Sequence, residues 1–431
     1  MTDTIYALSS GSPPAAIAII RISGPDASTA LLALTGNTAL PPRRARLSRV
    51  HHPLTGSLLD TALVLYFPGP NTATGEDLAE LHLHGGRAVV RAVEDALHDM
   101  PGLRGAEPGE FTRRAFEHGR IDLNEADGLA DLLAAETEMQ RRAAIDMASG
   151  HFSARLSDWR DALIRIAALV EADLDFSDEG DVGESLSRHI RAGLTDVHRK
   201  ALAMCAMPAA EKLREGIEVV LAGPPNSGKS TLLNALVQRE AAIVSEIAGT
   251  TRDLIRVPVS FGGIAFTLTD TAGLRDDSSD AIERIGIERA AASIATADVL
   301  LWLGQEGEGP RHPHLVEIEA QCDRNDHGRK TNTNVIRLSA RTGEGIDQLI
   351  SYLIRAAREL MPPDNGFAIN QRQRACLRTM ANCLAEAIDV DDMVIVGELV
   401  RQAREALDQL TGQAGTEEVL DVLFGRFCIG K

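Results

Sequence analysis

Gly223-Pro224-Pro225-Asn226-Ser227-Gly228-Lys229-Ser230 is the stretch on which the fold of this 431-residue chain turns. Its spacing is that of a phosphate-binding loop, G-x-x-x-x-G-K-S. The apolar run 217–222 before it reads as a strand and 231–237 after it as a helix, the context that pattern requires. Glycines let the backbone N–H groups curl around an anion, and the helix N-terminus adds roughly half a positive charge. Lys229 can reach the β and γ phosphates of a nucleotide, and the Ser230 hydroxyl can ligate Mg²⁺. An ordinary Gly-Pro turn has no use for the Lys-Ser-Thr finish.

Downstream, the loop Gly249-Thr250-Thr251-Arg252-Asp253 offers a threonine hydroxyl, Thr251, that can complete Mg²⁺ coordination. Asp270-Thr271-Ala272-Gly273 follows a strand. Asp270 can hold the Mg²⁺ shell, and the Gly273 N–H can sense the γ-phosphate. Each of the two alone is equally well a loop turn; with the phosphate loop, in this order, the three read as one site. The base-recognition end departs from the usual Asn-Lys-x-Asp and reads Ala320-Gln321-Cys322-Asp323. Asp323 can accept guanine N–H groups, Ala320 supplies no amide, and Gln321 only partly replaces a lysine stem over the base. Ser339-Ala340-Arg341 follows another strand and suits the last guanine loop. The expectation is GTP over ATP, with weakened base contacts. Where many GTPases orient water with Gln, position 274 is Leu. An arginine finger contributes roughly 10³ to 10⁵ in rate, so a substitute charge and another water-orienting group are required.

Around this core, residues 254–259 and 265–270 flank Gly262-Gly263 as a hairpin, and 299–303 and 335–338 are short apolar strands. That alternation means an α/β sheet with covering helices. Gly, Pro and His crowd 304–314, which predicts a shortened crossover. Proline is absent from 109 to 207, where Leu129, Leu132 and Leu133, then Leu163, Ile166, Leu169 and Val170 keep helical spacing; Asp122 with Glu125 marks a helix start. The chain turns helical again after Pro362-Pro363. Residues 1–118 mix strands (16–22, 62–67) with a helix (88–97) between Gly and Pro turns. The fold class expected is an α/β P-loop G domain inserted in an all-α helical domain, with an N-terminal α+β domain. The boundaries are 1–118, 119–212 (first helical half), 213–359 (G domain) and 360–431 (second helical half).

A net charge of −18 makes the chain a poor non-specific nucleic-acid binder, because phosphate contacts need Lys and Arg. Arg43, Arg44, Arg46 and Arg49 form the most basic short segment and read as a solvated loop. Five cysteines at spacings matching no zinc set imply a reducing compartment. The apolar run 15–20 is too short to span a membrane and follows no basic segment. A cytoplasmic protein without membrane contact is expected.

Further residues become diagnostic together. Asn226, the loop Ser245-Glu246-Ile247-Ala248-Gly249-Thr250-Thr251-Arg252-Asp253, Asp270 to Arg275, Glu283-Arg284-Ile285-Gly286-Ile287-Glu288 and the tail Cys428-Ile429-Gly430-Lys431 closely resemble the tRNA-modification GTPase family MnmE (TrmE). So do Asp3-Thr4-Ile5, Arg21-Ile22-Ser23-Gly24-Pro25, the run Gly69 to Asp77, His84-Gly85-Gly86, Pro108 to Thr112 and Arg120-Ile121-Asp122-Leu123. The resemblance runs end to end, weakest at 304–334.

The resemblance implies that residues 1–118 bind folate and dimerise. It implies a homodimer that forms a heterotetramer with the FAD/NADH protein MnmG, with tRNA met mainly through that partner. Together they would add a carboxymethylaminomethyl or aminomethyl group to carbon 5 of the wobble uridine. The one-carbon unit would come from methylene-tetrahydrofolate, the bound cofactor being a tetrahydrofolate derivative (5,10-methylene- or 5-formyl-). K⁺ would replace the arginine finger, held by Asn226, Ser245, Ile247 and Thr250, with Mg²⁺ on Ser230 and Thr251. Glu283, which alone reads as a surface helix charge, matches the catalytic glutamate. The implied GTP site comprises Asn226, Ser227, Gly228, Lys229, Ser230, Thr231, Ser245, Glu246, Ile247, Ala248, Gly249, Thr250, Thr251, Asp270, Thr271, Ala272, Gly273, Asp323, Ser339, Ala340 and Arg341. Folate positions are Arg21, Glu80, Arg120 and Lys431. Arg120 stands where the family often has Lys, which changes the geometry there. Cys428 is either a reactive thiol near the transferred carbon or an inert buried one. A regulatory switch resembling Era-type ribosome GTPases would need neither the folate domain nor the tail, and a folate scaffold with a relic GTPase would not need Lys229, Ser230, Thr251, Asp270 and Glu283.

Overall fold

The structure is a computed structural model describing residues 3–36, 41–175, 180–207, 210–239, 255–271, 291–323, 330, 335–361, 367–413 and 417–431; of 180–184 and 255 only the backbone is described. Two compact units emerge: Met1–Ala130 with Ala148–Ile164 and Arg404–Lys431, and Asp131–Met147 with Arg165–Ala403.

In the first unit, β1 (Thr4–Leu8), β2 (Ile17–Ser23), β3 (Arg46–His51), β4 (Leu58–Phe67), β5 (Leu78–His84) and β6 (Leu103–Gly105) form one sheet in the order β3-β4-β5-β2-β1-β6. Every pairing is antiparallel except β1 with β6. Alternation sets the faces. Ala18, Ile20 and Ile22 of β2 with Leu81 and Leu83 of β5 meet Leu31 and Leu34 of α1 (Ala27–Thr35) and Val90, Val93 and Leu97 of α2 (Arg87–His98). Arg21, Glu80 and His82 therefore point to the opposite face. The basic segment is not wholly loop: Arg46 and Arg49 lie on the edge strand β3, both exposed. Charged side chains on an edge strand discourage pairing with another chain, and the alternation Arg49-Val50 is strand-like because Val50 is fully buried.

α3 (Glu110–Glu117) is fixed to this sheet by a buried ionic network. Arg114, wholly buried, donates to the Asp3 carbonyl at 2.9 Å and to the carboxylates of Asp3, Glu76 and Glu110 at 3.0–3.1 Å. Arg104 donates to Asp3 at 2.6 Å and to Glu110 at 2.5 and 2.8 Å. The predicted helix start at Asp122 is a reciprocal cap: Asp122 N–H to Glu125 at 2.7 Å, Glu125 N–H to Asp122 at 2.8 Å. It opens α4 (Leu123–Ala134), whose Leu123 and Ala126 pack on Leu423, Phe424 and Phe427 around α13 (Glu417–Phe424).

The second unit holds a sheet in the order β12-β11-β10-β7-β9-β8, built from β7 (Ile217–Ala222), β8 (Ile255–Phe261), β9 (Ile264–Asp270), β10 (Val299–Trp302), β11 (Leu315–Ala320) and β12 (Val335–Leu338). All neighbours are parallel except the hairpin β8–β9. On one face Val219, Leu221, Leu301, Ile318 and Leu338 bury Leu232 and Leu236 of α9 (Lys229–Arg239) and Leu349 and Leu353 of α10 (Ile346–Leu360). Residues 303–314 between β10 and β11 contain no helix, as their composition predicts. The sheet's opposite face carries a smaller apolar cluster, Val220, Ala222 and Leu300 with Ile294, Trp302 and Leu315, and charge along β11. β11 turns Glu317 and Glu319 that way, and Glu317 accepts the Gly307 N–H at 2.8 Å and faces Lys330 at 3.6 Å, while Glu319 pairs with Arg337 at 3.0 Å. β11 thus alternates, with Val316 and Ile318 in the larger core and Glu317 and Glu319 on the other face, which is why it lacks a continuous apolar run. The rest is helical: α5 (Glu138–Ala148), α6 (His151–Asp175), α7 (Gly180–Cys205), α8 (Ala210–Glu215), α11 (Gln371–Asp389) and α12 (Met393–Thr411). No helix among the described residues is long and apolar enough to cross a membrane.

Candidate nucleotide-binding site

β7 lies between β10 and β9, so its carboxyl end is where the strand order reverses, the usual ligand crevice of an open parallel sheet. The loop 223–228 leaves β7 there and runs into α9. Gly228 adopts φ +96°, which a side chain would strain, and Asn226 sits at φ +60°, a left-handed conformation that asparagine tolerates. Lys229 is buried, its ammonium donating to the Gly223 and Pro224 carbonyls at 2.9 and 2.8 Å. The lysine thus folds back over its own loop, at the place where phosphate oxygens are expected. The Ser230 hydroxyl donates to Asp270 Oδ2 at 2.5 Å, and Asp270 is buried at the end of β9. Thr271 donates to the Leu221 carbonyl at 2.9 Å, tying the end of β9 to β7. The Ser227 hydroxyl is buried without a hydrogen-bond partner. Hydroxyl and carboxylate from separate elements are therefore within hydrogen-bond distance beside a buried lysine, a set of hard oxygen donors fitting Mg²⁺.

Across the loop, Gly228, Thr231 and Leu232 line a cavity of about 200 Å³ with Ala320, Gln321, Asp323, Leu338, Ser339, Ala340 and Arg341. The two sequence segments expected to meet a base, 320–323 and 339–341, thus face one space. Cys322 N–H donates to the Leu338 carbonyl at 3.2 Å, which holds the two segments together. Ser339 is buried, and its hydroxyl accepts the Thr342 N–H at 3.2 Å. The expected site residues Ser245, Glu246, Ile247, Ala248, Gly249, Thr250, Thr251, Ala272, Gly273 and Glu283 lie outside the described residues.

In the other unit, Arg21 and Glu80 are direct cross-strand partners of β2 and β5, and both Arg21 Nε and Nη2 donate to Glu80 Oε1, at 3.2 and 2.9 Å. The structure adds two groups there that the sequence did not single out. His82 Nε2 lies 3.2 Å from Glu80 Oε2, and the Phe111 ring lies 5.9 Å beneath the Arg21 guanidinium. The period-2 spacing of Glu80 and His82 was the available signal. Arg120 stands beside Gly75, and the tail is docked by Ser9 Oγ donating to the Gly430 carbonyl at 2.8 Å and by a bridge between Pro108 and Ile429. Among the described hydrogen bonds only Arg21 and Glu80 of the four expected folate residues are joined. Cys428 is exposed, so it is not a buried inert thiol.

Comparison with known proteins agrees in extent with these two sites. Residues 4–120 match the family described as "GTP-binding protein TrmE N-terminus" and residues 123–428 the "MnmE helical domain". The chain is 55% identical over 432 residues to the tRNA modification GTPase MnmE of Erythrobacter litoralis, with both chains covered completely. It is 54% identical over 441 residues to that of Novosphingobium aromaticivorans, again over all of both, and 55% identical to that of Rhizorhabdus wittichii over all of this chain and 97% of the relative. With a P-loop at the switch point of one sheet and matches that span nearly the whole sequence, the chain belongs to the tRNA modification GTPase MnmE family.

Proposed function

We propose that this GTP hydrolase is K⁺-activated and, with the FAD protein MnmG, adds a carboxymethylaminomethyl or aminomethyl group to carbon 5 of the wobble uridine of tRNA. The observation that carries the hydrolytic half is the meeting of Lys229, Ser230 and Asp270 at the carboxyl ends of β7 and β9. Phosphoryl transfer needs little covalent chemistry from a protein. It needs the nucleotide positioned and its developing negative charge compensated. Lys229 and the loop's N–H groups supply both at the β and γ phosphates. Ser230 and Thr251 would hold Mg²⁺, with Asp270 accepting hydrogen bonds from its water shell. Asn226 would hold K⁺ with Ser245, Ile247 and Thr250; the Asn226 carboxamide, exposed at the mouth of the loop, is an oxygen donor fitting such an ion. When bound, these cations neutralise charge that builds on the phosphate oxygens. Glu283 takes the water-orienting role that Leu274 cannot.

The second half rests on the N-terminal unit. Glu80, with a carboxylate held between Arg21 and His82, suits the N–H edge of a pterin, and Arg21, Arg120 and Lys431 suit a glutamate tail. This donor set fits a tetrahydrofolate derivative, which supplies the one-carbon unit when bound. The working form is a homodimer joined to MnmG in a heterotetramer, with residues 1–118, 119–212, 213–359 and 360–431 as its domains.

GTP hydrolysis measured in KCl and in NaCl at equal ionic strength, alone and with MnmG and tRNA, tests the reading. Turnover is expected to rise at least tenfold in KCl, a conservative part of the roughly 10³ to 10⁵ that an arginine finger supplies. Equal rates in the two salts would remove K⁺ from the mechanism.

A further inference from the structure

The base-recognition segment carries alanine where the common GTPase pattern places an amide, and the cavity nonetheless contains a carboxamide. Gln321 adopts φ +68°, a left-handed conformation uncommon outside glycine and asparagine, aspartate and their kin. That turn carries its side chain to the phosphate loop. A Cβ built on Gly228 would lie 3.7 Å from Gln321 Nε2 and 3.7 Å from the Ala320 methyl. Both residues therefore abut the same glycine, and only Gln321 brings a polar group there. Two residues on, Asp323 lines the same cavity, as do Ser339 and Arg341.

Guanine has a donor edge, N1–H and the 2-amino group, and an acceptor edge, O6 and N7. A carboxylate accepts, so Asp323 suits the donor edge. A carboxamide N–H donates, so Gln321 suits the acceptor edge. The purine's five-membered ring carries both N7 and the glycosidic nitrogen that leads through ribose to the phosphates. A group lying against the phosphate loop is therefore nearest that ring. We propose that Gln321 is a specificity-determining residue that donates its side-chain N–H to purine N7, taking over from the neighbouring position, where Ala320 has no amide. The left-handed turn at 321 is what moves the donor one residue along the chain. This inference rests on reading the 320–323 and 339–341 cavity as the base site.

The test uses the full-length protein with GDP, 7-deaza-GDP, which carries C–H in place of N7, and xanthosine diphosphate. Wild type is expected to bind 7-deaza-GDP about three- to tenfold more weakly than GDP, the range of one neutral hydrogen bond. Gln321→Gly, which suits the left-handed backbone, and Gln321→Met, which keeps the side chain's length, are both expected to bind the two nucleotides equally. Wild type that does not distinguish them, or variants that still do, would overturn the assignment. Asp323→Asn tests the underlying site separately and is expected to turn the preference from GDP toward xanthosine diphosphate. If that preference does not move, the cavity is not the base site and the Gln321 assignment falls with it. If it moves while N7 goes unread, only the role of Gln321 fails.

Discussion

Arg114 shows what a single buried charge does in this protein. Its guanidinium is closed inside the first unit among Asp3, Glu76 and Glu110, and that arrangement persists only while the carboxylates are ionised. For Glu110, burial pushes the carboxyl up. Hydrogen bonds from Arg104, the Glu107 N–H and Arg114 outweigh it and hold the group below the usual carboxylate range. Asp3 behaves the same way, with burial outweighed by Arg104 and Arg114. A carboxyl depressed on folding contributes stability that is complete above its unfolded pKa, about 4, and is lost as pH falls through the lower folded value. Stability of this unit is therefore expected to fall as the pH drops below about 4. Glu110→Gln should lower stability at pH 7 and flatten that fall; urea titrations at several pH values measure both. A slope unchanged in the variant would show that Glu110 does not contribute. Only the Glu110–Arg114 pair, four positions apart on one helix, has a local signal; the partnerships with Asp3 and Glu76 were not legible in the sequence. Asp3 and Arg114 are 111 positions apart, and charge spacing along the chain carries no sign of contacts at that separation.

At the scale of elements, helix starts and the hairpin were readable because their signals are local. The Asp122–Glu125 cap and the Gly262-Gly263 turn use residues within four positions of each other. Strands β1, β3, β5, β6 and β11 were harder: β6 has three residues, and β3, β5 and β11 interleave charged or polar residues (Arg46 and Arg49, Glu80 and His82, Glu317 and Glu319) that break up the apolar run. Docking of the C-terminal tail is also an element-scale event. Gly430 adopts φ +93°, and a Cβ there would stand 2.1 Å from the Leu8 carbonyl oxygen. Gly430→Ala is thus expected to displace the tail from the end of β1, and Lys431 with it. On the proposed folate site, where Lys431 would pair with the glutamate tail, binding of 5-formyl-tetrahydrofolate should weaken at least tenfold, a charged contact being worth about 1.5–3 kcal/mol. GDP affinity should stay the same, since Gly430 belongs to the other unit. Titrating both ligands decides it, and unchanged folate affinity would detach the tail from that site.

At the scale of the whole molecule, the two units present distinct side-chain chemistries, a buried lysine folded over a glycine-containing loop in one and a carboxylate–guanidinium pair in the other. A ligand that binds only the folded state stabilises it by about 2.7 kcal/mol at a hundredfold excess over Kd. GDP at that excess should slow amide exchange at 217–239 and around 320–323 and 338–341, and leave the β2–β5 ladder unchanged. Peptide-resolved hydrogen exchange reads this directly. Equal protection of both sheets would mean that the nucleotide acts on the chain as a whole.

The sequence by itself determined the phosphate loop, its strand and helix, the hairpin, the shortened crossover and the family. Each rests on residues that are close together or on a motif of fixed spacing, so the backbone's local preferences were enough. Tertiary structure alone decided which side chains share a space. It put Ser230 against Asp270, closed Arg114 among three carboxylates, and turned Gln321 onto the phosphate loop beside Asp323. Such contacts depend on strand order and on which face of each strand is buried. Those are set by packing the whole sheet against its helices, a balance that no single stretch of residues contains.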